Sequence, residues 1–132
     1  MSATSFTLPT VTDASRIVSN LSQNVTTTDA TVTSVQVLTV PANVAGLVTA
    51  KVTGIRANGD QSSYIVVAGY KNLAGTASVS GVTQVLVAET TGTTDCTIDA
   101  TGATIRVRVT GVAAQSYRWS CLTTCQVTPA FA

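Results

Sequence analysis

Histidine is absent from the chain, and with it go the commonest general base, the commonest metal ligand and every Ser-His-Asp or Cys-His arrangement. Charge is scarce as well: 10% of the 132 residues are Asp, Glu, Lys or Arg, against roughly a quarter in an average globular domain. A net charge of +1 leaves no clustered basic face to displace counterions from phosphate, so nucleic acid is not an expected partner. No apolar run approaches the ~20 residues that cross a bilayer. The N-terminal stretch Met1 to Pro9 lacks the basic and apolar regions of a signal peptide, and no membrane association is expected.

Cysteine is limited to Cys96, Cys121 and Cys125. An odd number without an export signal points to free thiols in a reducing compartment. On one continuous strand Cys121 and Cys125 would stand ~13 Å apart, beyond disulfide reach, which leaves only a pairing with Cys96 open. A closed zinc site needs four ligands and the chain offers no second cysteine pair, so neither metal nor cofactor is expected. The six carboxylates are Asp13, Asp29, Asp60, Glu89, Asp95 and Asp99, most of them in turn-like or N-terminal positions, as solvated acids are. Glu89, Asp95 and Asp99 lie close enough in sequence to suggest paired-carboxylate glycoside hydrolysis. The surrounding loop, however, lacks the aromatics that stack on sugars. No catalytic residue emerges, and the chain reads as a non-enzyme. Asn20-Leu21-Ser22 and Asn24-Val25-Thr26 match the glycosylation sequon, as expected by chance in so Ser/Thr-rich a segment.

Threonine, valine, serine and alanine dominate what is present. Threonine and valine are β-branched, stiff at χ1, and fit a pleated sheet better than a helix. From Thr31 onward, runs of period two alternate with turn residues, the pattern of half-buried antiparallel strands. Strands are expected at Val35 to Thr39, Leu47 to Arg56, Ser62 to Lys71, Thr76 to Ser80, Val82 to Glu89, Cys96 to Ala100, Thr104 to Val112 and Ser116 to Val127. Asn58-Gly59 supplies the positive φ of a tight hairpin between the second and third, and Gly81 marks a turn. The spacing predicts an all-β fold, an antiparallel β-sandwich of jelly-roll type over residues 31–132. Residues 1–30 read as a polar N-terminal arm with isolated apolar residues and a short helix near Asp13 to Leu21, capped by Thr12 or Asp13. Parity puts Ile105, Val107 and Val109 inward with Arg106, Arg108 and Thr110 outward, and Trp119 is expected to anchor the core.

Adjacent apolar pairs, among them Val66-Val67 and Val85-Leu86-Val87, place an apolar side chain on each face of their strands. Either both faces are covered within the domain or one meets another subunit; with so few charges the second is expected, and a homo-oligomer would supply the cover.

Val40-Pro41, Gly54 through Asp60, Tyr64 with Ala68-Gly69, Gly75-Thr76-Ala77, Ala88-Glu89, Ile105 through Gly111 and Arg118-Trp119 together carry a likeness. The stretch Val40 to Val127 resembles a small β-sandwich domain of tailed-bacteriophage structural proteins, found in capsid decoration proteins and in fibre or tail proteins. The resemblance implies a non-enzymatic virion protein, assembled in the host cytoplasm and bound to the major capsid protein or another virion protein. A single sandwich without a repetitive shaft favours the decoration, or cement, role over a tail or fibre component. In that role Phe6, Leu8, Val11, Ile17, Val18 and Leu21 of the arm are the expected partner contacts. A carbohydrate-binding attachment module is the reading from another class. It would use exposed aromatics such as Tyr64 and Tyr70, which share one face of their strand.

Overall fold

A computed structural model describes residues 5–8 and 16–128, with side chains from Phe6 to Leu8 and from Leu21 onward. Nine strands follow one another: β1 (Ser5–Thr7), β2 (Arg16–Thr27), β3 (Val32–Thr39), β4 (Val44–Ile55), β5 (Gln61–Leu73), β6 (Thr76–Glu89), β7 (Asp95–Thr101), β8 (Thr104–Thr110) and β9 (Tyr117–Val127). They build two sheets, one ordered β1-β3-β8-β7 and the other β2-β9-β4-β5-β6. Every pairing is antiparallel except β1 with β3. The expected all-β sandwich is the observed one.

Strict alternation builds the core. Along β9 every second residue from Tyr117 to Val127 is buried and the residues between are exposed. β5 alternates in the same way, with Tyr64, Val66, Ala68 and Tyr70 inward. Leu38, Cys96, Ile98, Ile105, Val107 and Val109 come to meet them from the four-stranded sheet. Trp119 is 1% exposed, stacks on Tyr117 with ring centroids 5.5 Å apart, and donates its indole N–H to Thr27 Oγ1 at 2.9 Å. Gly54 sits against the indole face, where an added Cβ would lie 2.5 Å from the ring. The absent side chain is therefore the space the tryptophan fills.

The hairpin expected at Asn58-Gly59 joins β4 to β5. Gly59 adopts φ +94°, the Asn58 side chain accepts from the Asp60 N–H at 3.0 Å, and Arg56 pairs with Asp60 at 3.3 Å. Thr76 to Ser80 and Val82 to Glu89 are one strand. Gly81, at φ +64°, forms a bulge with Val82 opposite Ala68 instead of a turn, and a second irregularity falls at Val85.

The largest departure concerns residues 1–30. Instead of an arm outside the sandwich, Arg16–Thr27 is a sheet strand paired with β9 from Val127 to Tyr117, and Ser5–Thr7 pairs with β3. The part of the expected Asp13 to Leu21 helix that is described, from Arg16, is extended, while Thr12 and Asp13 lie outside the described residues. The reason is tertiary. β9 has a free ladder on one side, and Leu21, Val25 and Thr27 meet the core at period two.

Candidate functional site

The arm residues singled out for partner contact divide. Leu8 is 1% exposed, fixed by its N–H to Thr39 O at 2.8 Å, and belongs to the core, so it is not available to fill a groove on another protein. Leu21 is partly buried and packs on the core. Ile17 and Val18 are paired through their backbones with Gln126 and Cys125 of β9. Phe6 is 36% exposed, and Val11 lies outside the described residues. No shared docking patch forms from the described members of this set. Ile105, Val107, Val109 and Trp119 all lie in the core at 1% exposure or less.

Among the described residues Phe6 is the one exposed aromatic, and a lone ring does not make the platform that a sugar would require. Tyr64, Tyr70, Tyr117 and Trp119 are each 4% exposed or less. The tyrosines expected to share a face do so, but it is the inner one. Tyr70 donates to Gln126 O at 2.7 Å, and its phenol is pushed well above its ordinary value by burial and by Cys125.

The thiols are equally enclosed. Burial pushes Cys96 up to about 12, with Cys121 and Asp95 adding to the effect. Burial likewise raises Cys121 to about 11, offset in part by the Thr123 hydroxyl at 3.3 Å, and Cys125 to about 12. Such thiols stay protonated and are poor nucleophiles. Among the described residues no three His, Cys, Asp or Glu side chains are grouped as metal ligands.

A groove of about 380 Å3 crosses the outer face of the five-stranded sheet between Asn24, Thr53, Ile55 and Arg118. It is open and offers one cation without converging polar partners, so it makes no enclosed ligand site.

Exposed apolar surface concentrates on β6. Val82 is 39% exposed, Val85 62%, Leu86 44% and Val87 47%, whereas among the described side chains no other strand exposes more than two large apolar residues to that degree. β6 closes one side of its sheet, and among the described residues no strand pairs with its outward ladder. Only Glu89, its last residue, carries charge. That residue is held: its Oε2 accepts from Tyr64 Oη at 2.8 Å and from Thr94 Oγ1 at 2.9 Å, with Ser62 Oγ a further 2.6 Å from Thr94. Burial holds the Tyr64 phenol far above its usual value. The Thr94 hydroxyl opposes this in part, and the Glu89 carboxylate adds to it. The cluster pins the end of β6, next to the exposed Val85-Leu86-Val87. Sequence reasoning marked these residues as adjacent apolar pairs but split their strand in two, which hid the length of the edge.

No protein-family model and no curated protein matches the chain. Among solved structures it is similar to the tailspike protein of Acinetobacter phage vB_ApiP_P1, with a TM-score of 0.44 and 15% identity over 89% of this chain and 22% of that one. The chain thus spans about a fifth of that tailspike's length.

Proposed function

We propose that this chain is a non-enzymatic structural module of a phage particle, and that it works by joining protein subunits through the edge of β6. The observation that carries the joining role is β6 itself: a 14-residue edge strand, charged only at Glu89, with Val82, Val85, Leu86 and Val87 in solvent. A long uncharged edge with free N–H and C=O groups is a template for another strand, and natural proteins leave one uncovered where it is used. The virion setting is supported by the likeness of Val40 to Val127 to phage structural domains.

A head-decoration role is favoured by a single sandwich without a repetitive shaft, with a free N-terminal arm as its contact. With Arg16–Thr27 folded into the sheet, that arm contact is withdrawn for those residues, and an edge contact serves a capsid shell or a tail equally well. The test is imaging of intact particles with the protein labelled. Density at lattice-matched positions on the head makes it a decoration protein, and density at the tail makes it a tail component. Absence from every particle would overturn the virion reading.

A further inference from the structure

The composition of β6 bears on what pairs with it. From Thr76 to Ala88 the strand has no charged side chain. A partner chosen by electrostatic complementarity therefore finds nothing to read there. A second copy of the same strand fits on three counts.

Antiparallel self-pairing is self-complementary. With Leu86 opposite Leu86 of the second copy, the two leucines meet directly, Val85 and Val87 flank them, and Glu89, the one charge of the strand, lies three residues from the axis, so its two copies are not opposed. The outer faces also match. Leu86 already pairs with Ile65 of β5, and the joint would extend this into a row Ile65, Leu86, Leu86, Ile65 across both copies. Finally, such a joint closes. It uses the same edge of each copy, whereas β6 laid on the opposite edge strand, β2, would be a head-to-tail joint that builds a ring or an open filament. The bulges at Val85 and Gly81-Val82 twist the strand and confine regular pairing to a short segment around Leu86.

We propose that β6 pairs antiparallel with β6 of a second copy about a two-fold axis at Leu86, joining two five-stranded sheets into one of ten. This rests on the reading of β6 as the contact edge and names its partner.

The full chain carrying Leu86→Cys tests it. Cys96, Cys121 and Cys125 are each 1% exposed or less, so the new thiol is the accessible one. Directly opposed residues of an antiparallel pair have Cα atoms ~4.5 or ~5.5 Å apart, both within disulfide reach. Under oxidised glutathione, Leu86→Cys is expected to give a disulfide dimer. Ile55→Cys and Leu47→Cys, exposed to 52% and 49% on the same sheet but away from the edge, are expected not to. In sedimentation the unmodified chain should run as a dimer, Leu86→Lys as a folded monomer, and Leu47→Lys as a dimer. An unmodified chain that sediments as a monomer, or cross-linking at Ile55→Cys equal to that at Leu86→Cys, overturns the self-pairing. A monomer that still incorporates into particles would sink the self-pairing and leave the virion reading intact. A dimer absent from particles would do the reverse.

Discussion

Two edge strands, β6 and β7, lie on the same flank of the sandwich, one from each sheet, and they are built on opposite principles. β7 is 7 residues long, begins with Asp95 and carries Asp99, whose carboxylate takes two hydrogen bonds from Arg106 at 2.7 and 2.9 Å and one from Arg108 at 3.3 Å. Part of its backbone is covered too, because Gln84 Nε2 donates to Cys96 O and to Asp95 Oδ1, both at 2.8 Å. Short length, charge and a covered carbonyl are the ordinary protections of an edge. β6 has twice the length and one charge, at its end. Within one domain, then, shortness, charge and backbone cover are applied to β7, whereas β6 is protected along its length only by its bulges at Gly81-Val82 and Val85. This contrast is what the proposed contact at β6 rests on.

The strongest break between the two strands should appear in thiol chemistry at alkaline pH. Cys96 of β7, like Cys121 and Cys125 of β9, keeps its proton to about 11 or 12 when folded, against an ordinary value of 9.0. The folded state therefore binds these protons more tightly than the unfolded one. Their contribution to stability is complete below pH 9.0 and drains away as pH climbs toward 12. Three such thiols amount to on the order of 5–10 kcal/mol by the top of that range, comparable with the whole stability of a small domain. Urea midpoints measured from neutral pH upward should fall steeply above pH 9.0, and Cys96→Ala should flatten the fall. At neutral pH a thiol reagent should label Leu86→Cys on β6 at once and reach Cys96 only on unfolding. Rapid labelling of Cys96 in the folded chain would contradict its burial.

Truncation should separate the strands next. Ile98 of β7 is 2% exposed, and Ile98→Ala is expected to cost about 2–5 kcal/mol through lost burial and the cavity left behind. Val87 is 47% exposed, and Val87→Ala should cost less than about 1 kcal/mol of folding stability. Denaturation below the association concentration is the appropriate measurement, since a dimer would add its own stability to Val87.

Tyr64→Phe probes the point where the two strands are tied together. The hydroxyl lost donates to Glu89 at the end of β6 and sits 2.6 Å from Thr94, just before β7. Leaving that buried cluster one donor short should cost about 1–3 kcal/mol, read from the urea midpoint. It should also speed hydrogen exchange at Thr90 to Asp95 more than at β4, whose hydrogen bonds are remote from the cluster.

Much of this was legible from residues alone. The Asn58-Gly59 hairpin was, because only a residue free to take positive φ closes so tight a turn. The inward set Ile105, Val107 and Val109 followed from parity. β2 escaped notice because its side chains from Leu21 to Thr27 that face the core include Gln23 and Thr27. Their partners, such as the Trp119 indole on Thr27, lie far along the chain. Local composition made the segment read as an arm, and only the vacant side of β9 turns it into a strand. Gly81 misled in the other direction: a single glycine with positive φ serves a turn or a bulge, and the choice depends on whether β5 continues alongside. The exposed edge inherits that ambiguity, since β6 continues through Gly81 as a bulged strand where the sequence reads as a turn.

The smallest effect concerns the charge that protects β7. Asp99 forms its ion pairs at the surface, with a side chain 37% exposed and Arg106 and Arg108 at 25% and 24%. Exposed pairs are worth about 0.2–1 kcal/mol and are screened by salt. Asp99→Asn should accordingly lower stability by no more than about 1 kcal/mol. The deficit should shrink in high salt, as denaturation at two ionic strengths would register. The variant matters more for association. If β7 is kept unpaired by its several protections together, the loss of Asp99 leaves Asp95 and the Gln84 cover in place, and β7 should stay closed while β6 joins copies as proposed. Joining that moves from Leu86 to β7 in Asp99→Asn, detected as cross-linking at Thr97→Cys in place of Leu86→Cys, would show instead that one carboxylate sets which edge of the sandwich is used.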